Sequence, residues 1–174
     1  MKKKDFGEAD RLFWIYTEKF GMIMASAKGV RLEKSKLRGN LDIFTYGDFA
    51  VISSKDFWSL VDAIETVSPK LNCDSAECLK VFAKAANLMA RMIKGEERNE
   101  ELWGHLKNLF FKLFSAQGGS ALGGKENLEK KDLKDLEIKS IAAILKTLGY
   151  MGELPASGKG LISATNRAIK ESML

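Results

Sequence analysis

The chain changes its hydrophobic period once, near Pro69. Before it, apolar residues come in short runs closed by turn formers. Leu12-Phe13-Trp14-Ile15-Tyr16-Thr17 is aromatic and branched, as strands prefer, and Phe20-Gly21 supplies a turn. Met22 to Ala27 predicts a second strand, ended by Lys28-Gly29. Ile43–Tyr46 and Phe49–Ser54 read as two further strands flanking Gly47-Asp48 as a turn pair. Phe57 to Val67 fits strand or helix, and the branched residues near its end favour strand. Five short strands in about 70 residues predict a small barrel.

After Pro69 the spacing becomes helical. Asp74 stands three residues before Glu77, a capping-box-like start. Leu79, Phe82, Ala83, Ala86, Met89 and Ile93 then fall on one face, and Gly95 stops the run. A second helix starts near Asn99 with the stripe Leu102, Leu106, Leu109, Phe110 and Leu113. The glycine-rich stretch Gly118–Gly124 breaks the pattern. A third helix carries Leu133, Leu136, Ile141, Leu145 and Leu148, with Gly149 just past its end, and a fourth covers about Leu161 to Ser172. The expected class is α+β: a small β-barrel over residues 1–70 and an all-helical domain over 71–174. Each helix has one apolar face and must pack on another helix or on the barrel.

Composition narrows the chemistry. Of 174 residues 45% are hydrophobic and 29% charged, which suits a folded domain and argues against global disorder. Two cysteines and one histidine fall short of a zinc scaffold, so no metal or other cofactor is expected. Cys73 and Cys78 read as reduced thiols. No apolar run approaches the ~20 residues that span a bilayer, and the stretch behind Met1-Lys2-Lys3-Lys4 is shorter than a signal-peptide core of ~7–15 residues. A cytoplasmic, nucleoid-associated protein is expected. The net charge is +5. Lys19, Lys28, Arg31, Lys34, Lys36 and Arg38, against Glu33 alone, put that same +5 between residues 19 and 38. Positive charge this local is what a phosphate backbone attracts, since binding releases condensed counterions. These six residues are the candidate nucleic-acid contacts, against the plain alternative of a solvated loop.

Three other features compete for function. Trp14, Tyr16, Phe44 and Tyr46 have the chemistry to stack on bases, although barrel core is the simpler assignment. Gly119-Ser-Ala-Leu-Gly-Gly-Lys125-Glu126 nearly spells a P-loop, but Glu126 stands where Ser or Thr must hold magnesium. His105 has no orienting base or nucleophile, and no paired acid–base arrangement is visible, so the sequence does not read as an enzyme.

The first half resembles the N-terminal domain of the bacterial DNA repair protein RecO family. The resemblance is carried by Phe6-Gly7-Glu8-Ala9-Asp10-Arg11-Leu12, Thr17, Gly21, Ala27-Lys28-Gly29-Val30-Arg31, Ser35-Lys36-Leu37, Gly39, Leu41 and Phe44. Leu145–Tyr150 with Leu154-Pro155, and Asn166–Leu174, are similar to that family's late helices. The resemblance implies an oligonucleotide-binding (OB) barrel followed by a helical domain. It also implies binding of single- and double-stranded DNA and annealing of complementary strands. Recombinase loading on DNA coated by single-strand-binding protein is implied as well, with RecR and the acidic, apolar C-terminal tail of single-strand-binding protein as partners. Two departures stand out. Only Met1–Asp5 precede the Phe-Gly-Glu motif, where the family has an apolar strand, so the first strand is expected to be partly missing or the start mis-assigned. Residues 151–160 lack the four-cysteine zinc module of many members. Against this reading stand an RNA- or ribosome-associated OB module and a protein–protein adaptor.

Overall fold

The computed structural model describes residues 2–53, 55, 57–67, 76–93, 95–114, 130–153 and 159–172. Two compact units emerge: Met1–Asn72 with Ile93–Arg98, and Cys73–Met92 with Asn99–Leu174. Asp74, Cys73, the P-loop-like stretch 119–126 and the Leu154-Pro155 pair lie outside the described residues.

The first unit is one five-stranded sheet. Its strands are β1 (Lys2–Phe6), β2 (Asp10–Thr17), β3 (Gly21–Ala27), β4 (Tyr46–Ser53) and β5 (Trp58–Val67). Their order is β1-β2-β3-β5-β4, antiparallel except for a short parallel pairing of β3 with β5 at Ala25/Trp58 and Ser26/Ser59. Alternation along β2 sends Phe13 and Ile15 to one face, where they meet Ala25 and Ala27 of β3, Leu60 and Ala63 of β5, and Phe49 and Val51 of β4. Small residues on central β3 and large ones on its neighbours let a short sheet curl over its own core. This is the topology of an OB-like domain.

Two expectations fail in this unit, and the first strand, expected to be partly missing, is five residues long: Lys2–Phe6 pairs with Trp14–Asp10 across a Gly7 turn at φ 62°. Its lysine run shows no hydrophobic alternation because β1 is an edge, where charge discourages pairing with other chains. Gly47-Asp48 is not a turn but part of one continuous strand, β4. Two irregularities in register, at Tyr46/Gly47 and Ala50/Val51, bend the β4–β5 ladder. A side chain at Gly47 would run into the carbonyl of Ile64, so glycine here marks close backbone approach. Residues 43–46 are not a separate strand either. A turn covers 43–44, Phe44 sits at φ 65°, and extended structure begins at Tyr46.

Among the described residues the second unit has four helices: α1 (Ala76–Met92), α2 (Glu100–Phe114), α3 (Lys130–Thr147) and α4 (Lys159–Ser172). The Asn99 side chain accepts the Leu102 N–H at 2.9 Å and caps α2. Gly149 closes α3 at φ 79°, while the Tyr150 N–H returns to the Leu145 carbonyl. Apolar side chains of α1, α2 and α3 fill the bundle, with Phe82, Phe110 and Phe114 meeting edge to face at 5.0–5.5 Å. The α1 stripe runs through Val81/Phe82, Ala85/Ala86 and Leu88/Met89; Leu79, one turn earlier, is exposed.

The linker 93–98 belongs with the sheet. The Trp58 indole N–H donates to Glu96 at 2.7 Å, and Phe20 stacks obliquely on Trp58 at 4.8 Å. Gly21, at φ 67°, leaves no room for a side chain because the Glu97 carbonyl fills the place of a Cβ. Gly21→Ala therefore combines left-handed strain with a backbone clash. It should cost about 2 kcal/mol or more, whereas Gly39→Ala, which meets open space, should stay within about 0.5 kcal/mol. Urea unfolding of the two variants checks this.

Tyr16 on β2 is buried, and burial pushes its phenol up to about 12. A folded value above the unfolded one, near ~10, favours the neutral folded form below that pH. Stability should hold up to pH ~10 and fall by roughly 2 kcal/mol between ~10 and ~12. Tyr16→Phe, with nothing to titrate, should lose less over that window, as chemical unfolding at both ends would show.

Candidate nucleic-acid interface

Five of the six candidate cations lie on one connection, residues 28–45 between β3 and β4. It begins at Gly29, φ 63°, whose N–H donates to Asp10 at 2.7 Å, and the Arg31 N–H donates to the Ala9 carbonyl. A succession of tight turns follows, closed by backbone bonds Leu32→Gly29, Ser35→Leu32, Arg38→Ser35 and Asn40→Leu37 at 3.0–3.3 Å. Val30 and Leu41 are buried in the barrel core and Leu37 packs against it. The Asn40 amide donates to the Ala63 carbonyl of β5 at 2.8 Å. The connection is thus fastened to the core at both ends and in the middle.

That fastening sorts the side chains. Residues 30, 37 and 41 point inward, and Lys28, Arg31, Lys34, Lys36 and Arg38 are exposed. Among the described residues, Lys28, Lys34, Lys36 and Arg38 make no ion pair, so their charge is available to solvent. Arg31 is partly engaged: its Nε lies 3.8 Å from Asp5 and its Nη1 donates to the Gly7 carbonyl at 3.3 Å. Lys19 stands apart. It sits in the β2–β3 turn, the length of β3 away from Lys28, about 20 Å at ~3.3 Å per residue.

Several neighbours were not singled out from the sequence. Arg11 donates from Nε to Asp5 at 2.6 Å. That hydrogen bond, with the added charge of Arg11, Arg31 and Lys3, holds the Asp5 carboxyl below the usual carboxylate range. Lys3 pairs with Asp42 at 2.8 Å, tying β1 to the segment before β4. Lys2 rests over the Trp14 ring at 5.0 Å. Phe6, beside Asp5 and the Gly7 turn, is 54% exposed and is an aromatic ring close to the cations. The signal for these was the string Lys2-Lys3-Lys4, legible only once β1 is known to be a strand. Trp14, Phe44 and Tyr46 are half-buried and Tyr16 is buried, so none of the four aromatic candidates is an open stacking surface.

The unit is a small OB-like barrel with a cationic connection on one rim. Residues 1–69 match the family described as Recombination protein O N terminal. Proteins named DNA repair protein RecO are similar over longer stretches. That of Clostridium perfringens is 32% identical over 103 residues, 59% of this chain and 42% of the relative. That of Desulfitobacterium hafniense is 34% identical over 93 residues, 53% and 33%. That of Alkaliphilus metalliredigens is 31% identical over 155 residues, 89% and 56%. These matches support the RecO family, by its N-terminal domain over residues 1–69, and the chain spans about half or less of the length of these relatives.

If the rim binds single strands through about four phosphates, log affinity should fall with log salt at a slope near ~−3. Lys28→Glu with Arg31→Glu should flatten that slope and weaken binding at least roughly tenfold at low salt. Fluorescence anisotropy across a salt series measures both.

Proposed function

We propose that this protein acts in DNA repair and recombination as a non-enzymatic mediator. It binds single- and double-stranded DNA, anneals complementary strands and helps load recombinase onto DNA coated by single-strand-binding protein. The observation that carries this reading is the set of cations Lys28, Lys34, Lys36 and Arg38, without an ion pair among the described residues, on core-fastened turns of an OB-like barrel. The family match supplies the choice of DNA over other polyanions. Arg31 belongs to the same rim; Lys19 contributes at most to a path running the length of the β2–β3 hairpin.

Physically, annealing needs two strands held close while their mutual repulsion is screened. A fixed row of lysines and arginines does both, and its sequence-independent grip lets strands slide into register. RecR and the C-terminal tail of single-strand-binding protein are the partners this reading carries, in the cytoplasm at the nucleoid. No helix among the described residues is long and apolar enough to cross a membrane.

The decisive experiment is annealing of two complementary oligonucleotides, bare and coated with single-strand-binding protein. Acceleration that disappears on reversing Lys28 and Arg31 is expected. No acceleration, or a parallel titration in which RNA of the same sequence binds far more tightly than DNA, would overturn the reading in favour of an RNA-associated module. No binding to either polymer at low salt would leave a protein–protein adaptor.

A further inference from the structure

Besides Glu33 and Asp42 on the connection itself, one carboxylate of β1, Asp5, is set among the rim's cations. Asp5 lies between two guanidinium groups, Arg11 at 2.6 Å and Arg31 at 3.8 Å. We propose that Arg11 and Arg31 form a seat for one phosphodiester of a nucleic-acid strand, and that Asp5 occupies this seat in the free protein as an internal competitor. The inference rests on the nucleic-acid reading above and names a specific contact within it.

Three observations support it. First, the pair is under-used. Two guanidinium groups carry ten N–H donors. Among the described residues one of Arg11's goes to Asp5 and one of Arg31's to the Gly7 carbonyl, leaving the rest to solvent. Second, the seat is open: the side chains of Asp5, Arg31 and Arg11 keep 51%, 38% and 25% of their exposure. A carboxylate and the two free oxygens of a phosphodiester present the same planar, singly charged face to an arginine fork. Third, the two contacts are unequal. Arg11 makes a short hydrogen bond, whereas Arg31 is beyond hydrogen-bonding distance of Asp5, so an incoming phosphate engages Arg31 first and then displaces Asp5 from Arg11.

The placement also gives the competitor a purpose. Arg31 follows Val30, which is fixed in the core, and its backbone N–H is held by the Ala9 carbonyl. With the backbone fixed, Asp5 keeps two cationic side chains converged on one point instead of splayed by mutual repulsion. The site is thereby organised before its ligand arrives, at the expense of some affinity, and release of a bound strand is made easier.

The test is the affinity of the full chain for a fluorescein-labelled oligothymidylate across a salt series. Asp5→Asn keeps the shape of the side chain and removes its charge. It should tighten binding about three- to tenfold at low salt and steepen the salt slope by roughly 0.7, one further phosphate contact. Equal or weaker binding overturns the proposal, because Asp5 is then only a brace. Should Asp5→Asn fail to fold, Arg11→Gln decides: a loss of about fivefold or more supports the seat, and unchanged affinity overturns it. Failure of the wild-type chain to bind the oligonucleotide removes the nucleic-acid reading itself, a result distinct from wild-type binding that ignores Asp5 and Arg11.

Discussion

The proposed DNA surface depends on burying Val30 and Leu41 in the barrel core and packing Leu37 against it. An eighteen-residue connection without regular structure would otherwise be free to wander, and loops beyond ~12–15 residues are uncommon in compact domains unless they carry function. Burying a Val or Leu side chain is worth about 1.5–3 kcal/mol, enough to offset much of the entropy of ordering the few residues around it. Because inward positions alternate with cationic ones, the same burial that fixes the backbone turns the lysines and arginines outward. Fold stability and electrostatic function share one set of residues here.

The opposite end of the β2–β3 hairpin has a different chemical character. There Phe20, Trp58 and Gly21 receive the linker residues Glu96 and Glu97, and the contacts are aromatic, acidic and close-packed. Carboxylates stand at that end, and unpaired cations among the described residues stand along Lys28 to Arg38. The sheet therefore has an electrostatic direction along its strands. Lys19 lies at the acidic end, which is why counting charges along the chain overstates how many cations act together.

Much of this was legible in the residues. The strands around Phe13 and Ile23, the Asn99 cap and the Gly149 stop are local signals that tertiary packing did not override. The cationic segment was visible as a charge density. What the residues did not show was geometry that depends on a distant partner. Lys2–Phe6 carries no strand pattern because its apolar support comes from β2. Gly47-Asp48 has turn chemistry but is held extended by its approach to Ile64 on β5. Arg11 and Asp5 look like scattered charges until the β1–β2 hairpin brings them beside Arg31. Leu37 and Leu41 carry part of the family resemblance, but their return to the core beside Val30 shows only in the fold.

The central claim is that one core-fastened rim meets the nucleic acid. Hydrogen–deuterium exchange of the chain with and without a saturating single-stranded oligonucleotide tests it most directly. Slowed exchange concentrated in residues 28–41 and in the β1–β2 turn, with residues 17–21 and the four helices unchanged, is the predicted result. Protection confined to the Phe20–Trp58 end or to the helical unit, with residues 28–41 exchanging as before, would contradict it.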